Sequence, residues 1–434
     1  MRTRLKRMLG IALATACLGQ SAACTTDKPL EEPQYSADKK LTIGAWVAPP
    51  PDFINEQTYK DVADSGINLI YALYEDADLN ALKALQLAEK NGIQYLVRSR
   101  AASSVPEDEL DLLDGMFDDY KNSPAFGGVL VSDEPGALKF KKLGALHEKF
   151  KQLLPGKHFY VNLFPTYSSL DQRDGRTYKE YVDEYIQTVK PDFVSFDHYP
   201  LMQGVDGPYT KEDHLLNLDI VSNASKKAGL PFWAFIQSIG FSTAGTQNRD
   251  PDEKDIRWQA YNALAFGAKG IQYFTYWTPS SDGAARFSKA MVDADGTKTP
   301  LYDAVKNVNE EILSFDQIYL NYDNVGVMTF PVDNAPANLY TENRLAEFET
   351  IKEVASEQPV VIGCFQDKNG NQALVLVNYT DPAANQTNKV SIKLDGIKGV
   401  SQYDKDGHTI SKTSGGKYEV TLQPGEGKFI MLLK

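Results

Sequence analysis

The chain has 434 residues, 24% charged and 42% hydrophobic, an ordinary globular composition with length for one large and one small domain. A net charge of −13 excludes nucleic acid or an anionic membrane surface as the main partner, because either favours a basic face. Three cysteines and five scattered histidines exclude a disulfide framework and leave no metal-ligand spacing, so neither a metal nor another cofactor is expected.

The N-terminus, "MRTRLKRMLGIALATACLGQSAAC", opens with Arg2, Arg4, Lys6 and Arg7 and continues with an apolar run from Met8 to Leu18. That run is too short to span a bilayer by itself. Small residues then lead to Cys24, so residues 1–24 resemble a bacterial lipoprotein signal whose cysteine carries the lipid. Ser21 stands where that motif usually has leucine, and Cys17 is the second candidate. Residues 25–40 are polar and proline-containing and read as a tether. The expectation is a lipoprotein of the bacterial cell envelope, at the outer membrane, touching the bilayer only through its lipid.

From residue 41 to 320 one unit repeats: a short β-branched and aromatic run, then an amphipathic helical stretch. The runs are "LTIGAWV", "INLIYALY", "QYLVRSR", "GGVLVSDE", "HFYVNLF", "DFVSFDHY", "PFWAFIQS" and "GIQYFTYW". Between them, "LNALKALQLAEKNG" and "KEDHLLNLDIVSNASKKAGL" carry helical spacing and close on Gly92 and Gly229 as C-caps. Strand and helix alternating eight times predict an α/β fold, a (β/α)8 TIM barrel. From 321 to 434 the texture changes. "NVGVMTF", "VVIGCFQD", "QALVLVNYT", "NKVSIKL" and "GKFIMLL" are short strands parted by Gly, Asn and Asp, which predict a small C-terminal antiparallel β-sandwich.

A TIM barrel builds its site at the C-terminal strand ends. In strand order these ends offer Trp46; Tyr74; Arg98; Asp133 and Glu134; Asn162; Asp197, His198 and Tyr199; Gln237; and Tyr276 with Trp277. Flat rings beside acids and amides suit a carbohydrate substrate. Glycoside hydrolysis needs a carboxylic acid that protonates the leaving oxygen and a second carboxylate as nucleophile or base. Glu134 suits the acid, because burial and a neighbouring carboxylate both raise its pKa. Plainer roles stay open. Asp133 could cap a helix begun at Pro135, His198 could be a structural hydrogen-bonder, and Trp46, Tyr276 and Trp277 could be core.

"GGVLVSDEPGA", "DFVSFDHYP" and "GAKGIQYFTYWTP" resemble the retaining glycoside hydrolases of clan A, especially the β-galactosidase-type members of family 42. The resemblance implies that Glu134, in the place of the Glu of an Asn-Glu pair, is the acid/base. Asp133 stands where that Asn belongs. The clan's nucleophile is a Glu ending strand seven, and Gln237 occupies that place here. Three explanations follow. Another rim carboxylate, Asp197 foremost, completes the pair; or a substrate N-acetyl group attacks while Asp133 orients it; or the protein binds glycans without cutting them.

Overall fold

A computed structural model describes residues 30–36, 38–73, 77–243, 245–281, 285–331 and 342–434. The signal segment with Cys17 and Cys24, and the second-strand residue Tyr74, lie outside the described residues. Among the described residues no helix is long and apolar enough to cross a membrane.

All eight expected runs are strands of one barrel: β1 (Thr42–Ala45), β2 (Leu69–Tyr71), β3 (Gln94–Arg98), β4 (Phe126–Asp133), β5 (His158–Leu163), β6 (Val194–Phe196), β7 (Phe232–Gln237) and β8 (Gly270–Phe274). Each pairs in parallel with its sequence neighbour, and β1 closes on β8 through Thr42↔Gly270 to Ala45↔Tyr273. Helices cover the outside, so the strands are buried on both faces and read as near-continuous apolar runs. All six residues of β7 are buried, for instance. Helix signals also hold. Gly229 ends helix His214–Ala228 in the left-handed conformation, and Gly92 takes it just after helix Ala77–Lys90. The barrel interior is packed with rings. Gly44 lets Tyr71 cross it, since a Cβ there would stand 2.7 Å from the Tyr71 hydroxyl.

The loops after β6, β7 and β8 add an antiparallel sheet on the rim, which the sequence reading did not anticipate. Its strands run in the order 285–287, 241–243, 246–248, 201–204 and 207–210.

After the barrel come two antiparallel sheets. The strands are β9 (Tyr322–Phe330), β10 (Ile351–Ser356), β11 (Val360–Asp367), β12 (Gln372–Asn378), β13 (Asn388–Leu394), β14 (Gly399–Asp404), β15 (Gly407–Lys412), β16 (Lys417–Leu422) and β17 (Gly427–Leu433). One sheet has the order β9-β11-β12-β17-β14-β15 and the other β10-β13-β16. Alternation along the central strands buries both faces of the larger sheet. Ile362, Leu374, Leu376 and Ile430 face the smaller sheet, while Phe365, Val375 and Phe429 join the barrel core. Phe429 stacks on Phe315 with ring centroids 5.2 Å apart, and Tyr379 stacks on Trp258 at 5.4 Å. Part of the expected tether is laid against this body. Glu32 accepts from the Tyr403 hydroxyl at 3.0 Å and meets His408 Nε2 at 2.7 Å, and the Tyr35 hydroxyl donates to Asp367 Oδ2 at 2.9 Å.

Candidate active site

Side chains alternate along a strand, so adjacent acids should point to opposite faces. Two local departures bring Asp133 and Glu134 together. Against β5 the register of β4 shifts between Leu130 and Ser132. Glu134 itself takes φ +46°, a left-handed conformation uncommon for a residue with a side chain. Its amide donates to the Asn162 carbonyl at 2.8 Å, so the turn is still tied to β5. From below, the Tyr181 hydroxyl donates to the Pro135 carbonyl at 2.7 Å. Strained backbone of this kind is about 1–3 kcal/mol uphill and collects at functional sites.

Three carboxyls meet here. Asn162 Nδ2 donates to Asp133 Oδ1 at 3.2 Å. Glu134 shares a hydrogen bond with Asp197, which follows β6 and is only 7% exposed. Asp197 also bonds the Tyr199 side chain, and its Oδ1 has no partner. Burial, then the charge of Asp133, push the Glu134 carboxyl up to about 7, with the Asp197 hydrogen bond pulling partly back. Burial raises Asp197 well above the usual carboxylate range, and the charges of Glu134 and Asp133 add to it. Asp133 keeps an edge open to solvent, yet protein surrounds its carboxyl on the other sides. Burial therefore raises it too, opposed by Asn162 and by the Arg98 charge. Three acids this close do not all ionise, so the cluster holds a proton near neutral pH. The barrel mouth, not the cavity of about 780 Å³ among the C-terminal sheets, gathers these perturbed acids.

The other expected site residues divide. Arg98 faces Asp133 with its charge and donates to the Leu73 carbonyl at 2.6 Å. Tyr199 presents its ring beside Phe274 (5.1 Å) and Phe241 (5.5 Å). Trp46 lies in the barrel with Tyr71 and Phe235, 5.5 and 5.8 Å away, and is 6% exposed. Four residues turn away from the acids. His198 is bonded through Nε2 to Asp213 at 3.0 Å and faces His214 through Nδ1 at 3.3 Å. Tyr276 is buried towards Tyr59, Asp61 and Tyr302. Trp277 is buried on Phe53, 4.6 Å between centroids. Gln237 is wholly buried, with every side-chain valence used. Its Oε1 accepts from Leu201 N and Asn248 Nδ2, both at 3.1 Å, and its Nε2 donates to the carbonyls of Ile239 (3.2 Å) and Arg249 (2.9 Å). No atom of it is left for a sugar.

The sequence reading missed Phe241, Phe274 and Phe287, which with Tyr199 form a half-buried aromatic wall on the rim. Phe274 was within reach, because it has the parity of the inward-facing Gln272.

The raised acids make stability fall with pH. The Glu134 carboxyl sits near 7 in the fold against its ordinary 4.5. The stability tied to its proton is complete below 4.5 and is lost as pH rises through 7. Glu134→Gln is therefore expected to match the wild type at pH 4 and to be more stable at pH 8, by about 1–3 kcal/mol. Thermal melts at the two pH values check this.

Residues 146–315 match the family model of glycoside hydrolase family 42, described as beta-galactosidase. The match is less than half of the chain. No curated protein sequence matches it. Among solved structures, a catalytic mutant of a family 42 β-galactosidase from G. stearothermophilus superposes with a TM-score of 0.59 at 10% identity, over 92% of this chain and 99% of that one. The β-galactosidase from Bacillus circulans sp. alkalophilus gives 0.59 and 10%, over 91% and 99%. The β-galactosidase from the psychrophilic Marinomonas ef1 gives 0.50 and 10%, over 66% of this chain and only 63% of that one. The barrel is family 42-like. At these identities the likeness to solved structures is one of fold, and the matched stretch covers β5 to β8 without β4, which Glu134 follows.

Proposed function

We propose that the protein is a glycoside hydrolase that cuts an oligo- or polysaccharide, with Glu134 as general acid/base. The observation that carries this is the meeting of Asp133, Glu134 and Asp197 at the barrel mouth, with the Glu134 carboxyl held near 7. Retaining enzymes space their carboxyls about 5–5.5 Å apart and inverting ones about 6.5–9.5 Å. Glu134 and Asp197 are in hydrogen-bonding contact, so no anomeric carbon fits between them here. Asp197 is then the proton partner of Glu134. Asp133, open to solvent, is the carboxylate that meets the sugar, either directly or by orienting a substrate N-acetyl group.

The test is a panel of nitrophenyl glycosides, β-galactoside first, with envelope and plant oligosaccharides. On any cleaved substrate, Asp133→Asn should be about as damaging as loss of Glu134, and Asp197→Asn should be milder. If an N-acetyl group attacks, a thiazoline analogue should inhibit. One observation favours a second reading. The strand β7 carries no carboxylate, and by the family resemblance Gln237 takes the nucleophile's place, as in a glycan-binding protein on a glycosidase barrel. Measurable glycan affinity without cleavage across the panel would establish that reading.

The place of action we propose is the bacterial envelope, through lipid on Cys24. Small residues before Cys24 and the basic, short apolar leader support this. One acyl chain anchors marginally, whereas several on one cysteine hold firmly. Cys24→Ser should move the protein from the membrane to the soluble fraction; unchanged retention would refute the anchor.

A further inference from the structure

Inside the barrel, below the acids, five side chains form one connected hydrogen-bonded path. The hydroxyls of Tyr71 and Tyr160 converge on Gln272 Oε1 at 2.5 and 2.7 Å. These are separations of O–H donors to an oxygen, so the Gln272 carbonyl faces the phenols. Its Nε2 then points the other way and donates to Ser195 Oγ at 2.9 Å. Ser195 Oγ then has one proton and two oxygens in reach, the Tyr160 hydroxyl at 2.8 Å and Asn162 Oδ1 at 3.0 Å. Tyr160 is already bonded through its own proton, whereas Asn162 Oδ1 has no other donor among the described residues, so Ser195 donates to Asn162. That leaves Asn162 Nδ2 towards Asp133, to which it donates at 3.2 Å. Each group is buried: Tyr71, Tyr160, Ser195 and Gln272 at 0% exposure and Asn162 at 2%. The residues come from β2, β5, β6 and β8, so closing the barrel assembles the path.

We propose that Ser195 is a positioning residue of the site: held in this path, it keeps the Asn162 amide with its N–H towards Asp133 and so keeps Asp133 an acceptor. The inference rests on the acid reading of Glu134 and Asp133 and deepens it. A buried amide can turn over and present its oxygen instead, and the acid it faces must then carry the proton. Ser195 blocks that by donating to Asn162 Oδ1. The proton of the cluster is thereby kept off Asp133 and left to Glu134 and Asp197. The side chain facing the sugar stays an acceptor, and the one facing the leaving oxygen stays a donor.

The charged and titratable groups around the pair are few. Arg98 from β3 attracts Asp133. Asp197 after β6 faces both acids, as does Tyr199; Tyr160 from β5 faces Asp133, and Tyr167 and Tyr181 lie beside Glu134. None of them bonds Asn162 Oδ1, so Ser195 alone sets the amide among the described residues.

The test needs no substrate. Carboxyl carbon-13 signals of labelled Asp and Glu are followed against pH, with those of Asp133 and Glu134 assigned by their loss in Asp133→Asn and Glu134→Gln. In Ser195→Ala the Asn162 amide is released. The Asp133 midpoint should rise and the Glu134 midpoint fall, each by about half a pH unit or more, because the two charges repel. Ser195→Thr, which restores the hydroxyl, should return both. Ser195→Val, which also lacks the hydroxyl but fills the space, should move them the same way and serves if Ser195→Ala does not fold. Combined with Asp133→Asn, Ser195→Ala should move Glu134 no further. Unchanged midpoints, or both moving in one direction as solvent entry would cause, overturn the proposal. Failure of the enzymatic reading is separate: full activity of Glu134→Gln would remove the acid role and leave these titrations as they are.

Discussion

Glu134→Gln is expected to lower kcat/KM for a natural glycan or a poor leaving group by about two to four orders of magnitude, the usual worth of a positioned proton donor. An activated nitrophenyl leaving group departs with little help from a proton, so its rate should fall much less. That contrast separates lost protonation from lost binding. The wild-type pH profile should carry the same signature. The acid works protonated, and its carboxyl sits near 7. Activity should drop about tenfold per pH unit above that value, and fall again on the acid side where Asp133 takes up a proton. Glu134→Gln should lose this alkaline limb. Because the variant is also expected to melt higher at pH 8, lost activity there could not be blamed on unfolding. Full activity of the variant on an oligosaccharide would end the assignment.

The frame of the site was legible because it depends on period and count. Eight β-branched runs separated by helical spacing leave little choice of architecture, and each run became a barrel strand. Asp133, Glu134, Asn162 and Asp197 could be placed at the mouth for the same reason. What stayed hidden depends on which way a side chain turns after its strand ends. His198 and Tyr199 are sequence neighbours, yet His198 turns to Asp213 and Tyr199 to Asp197. Tyr276 and Trp277 read equally as sugar platform or as core; they lie beyond the last residue of β8 and fold back into the core. Phe274, the last residue of that strand, joins the aromatic wall. The left-handed Glu134 was equally unreadable, since no glycine or asparagine marks it. The rim sheet is made of strands only three or four residues long, too short for a period to show.

Gln237→Glu would put a carboxylate at the end of β7, where the family resemblance expects a nucleophile, and it is expected to destabilise the protein without creating activity. The four groups around this side chain are two N–H donors on one side and two backbone carbonyls on the other. An amide matches that set. A carboxylate does not, since one oxygen would face the carbonyls of Ile239 and Arg249 with no proton between them. A protonated carboxyl could donate to only one of the two. With the site wholly buried, the unpaired groups should lower stability by about 2–4 kcal/mol at pH 8. Burial raises the pKa of the new acid, so the deficit should be smallest below pH 4 and grow as pH rises through the carboxylate range. The hydrogen bonds also explain why no activity should follow. They join Gln237 to Leu201, Ile239, Asn248 and Arg249, where the chain enters the rim sheet, so the side chain anchors the rim and does not look into the mouth. Denaturation of the variant at two pH values measures the first expectation. For the second, the variant is incubated with a fluorinated glycoside that traps covalent intermediates. A stable Gln237→Glu protein that becomes labelled at residue 237 would show that the position reaches the substrate after all, and that the glutamine had merely silenced it.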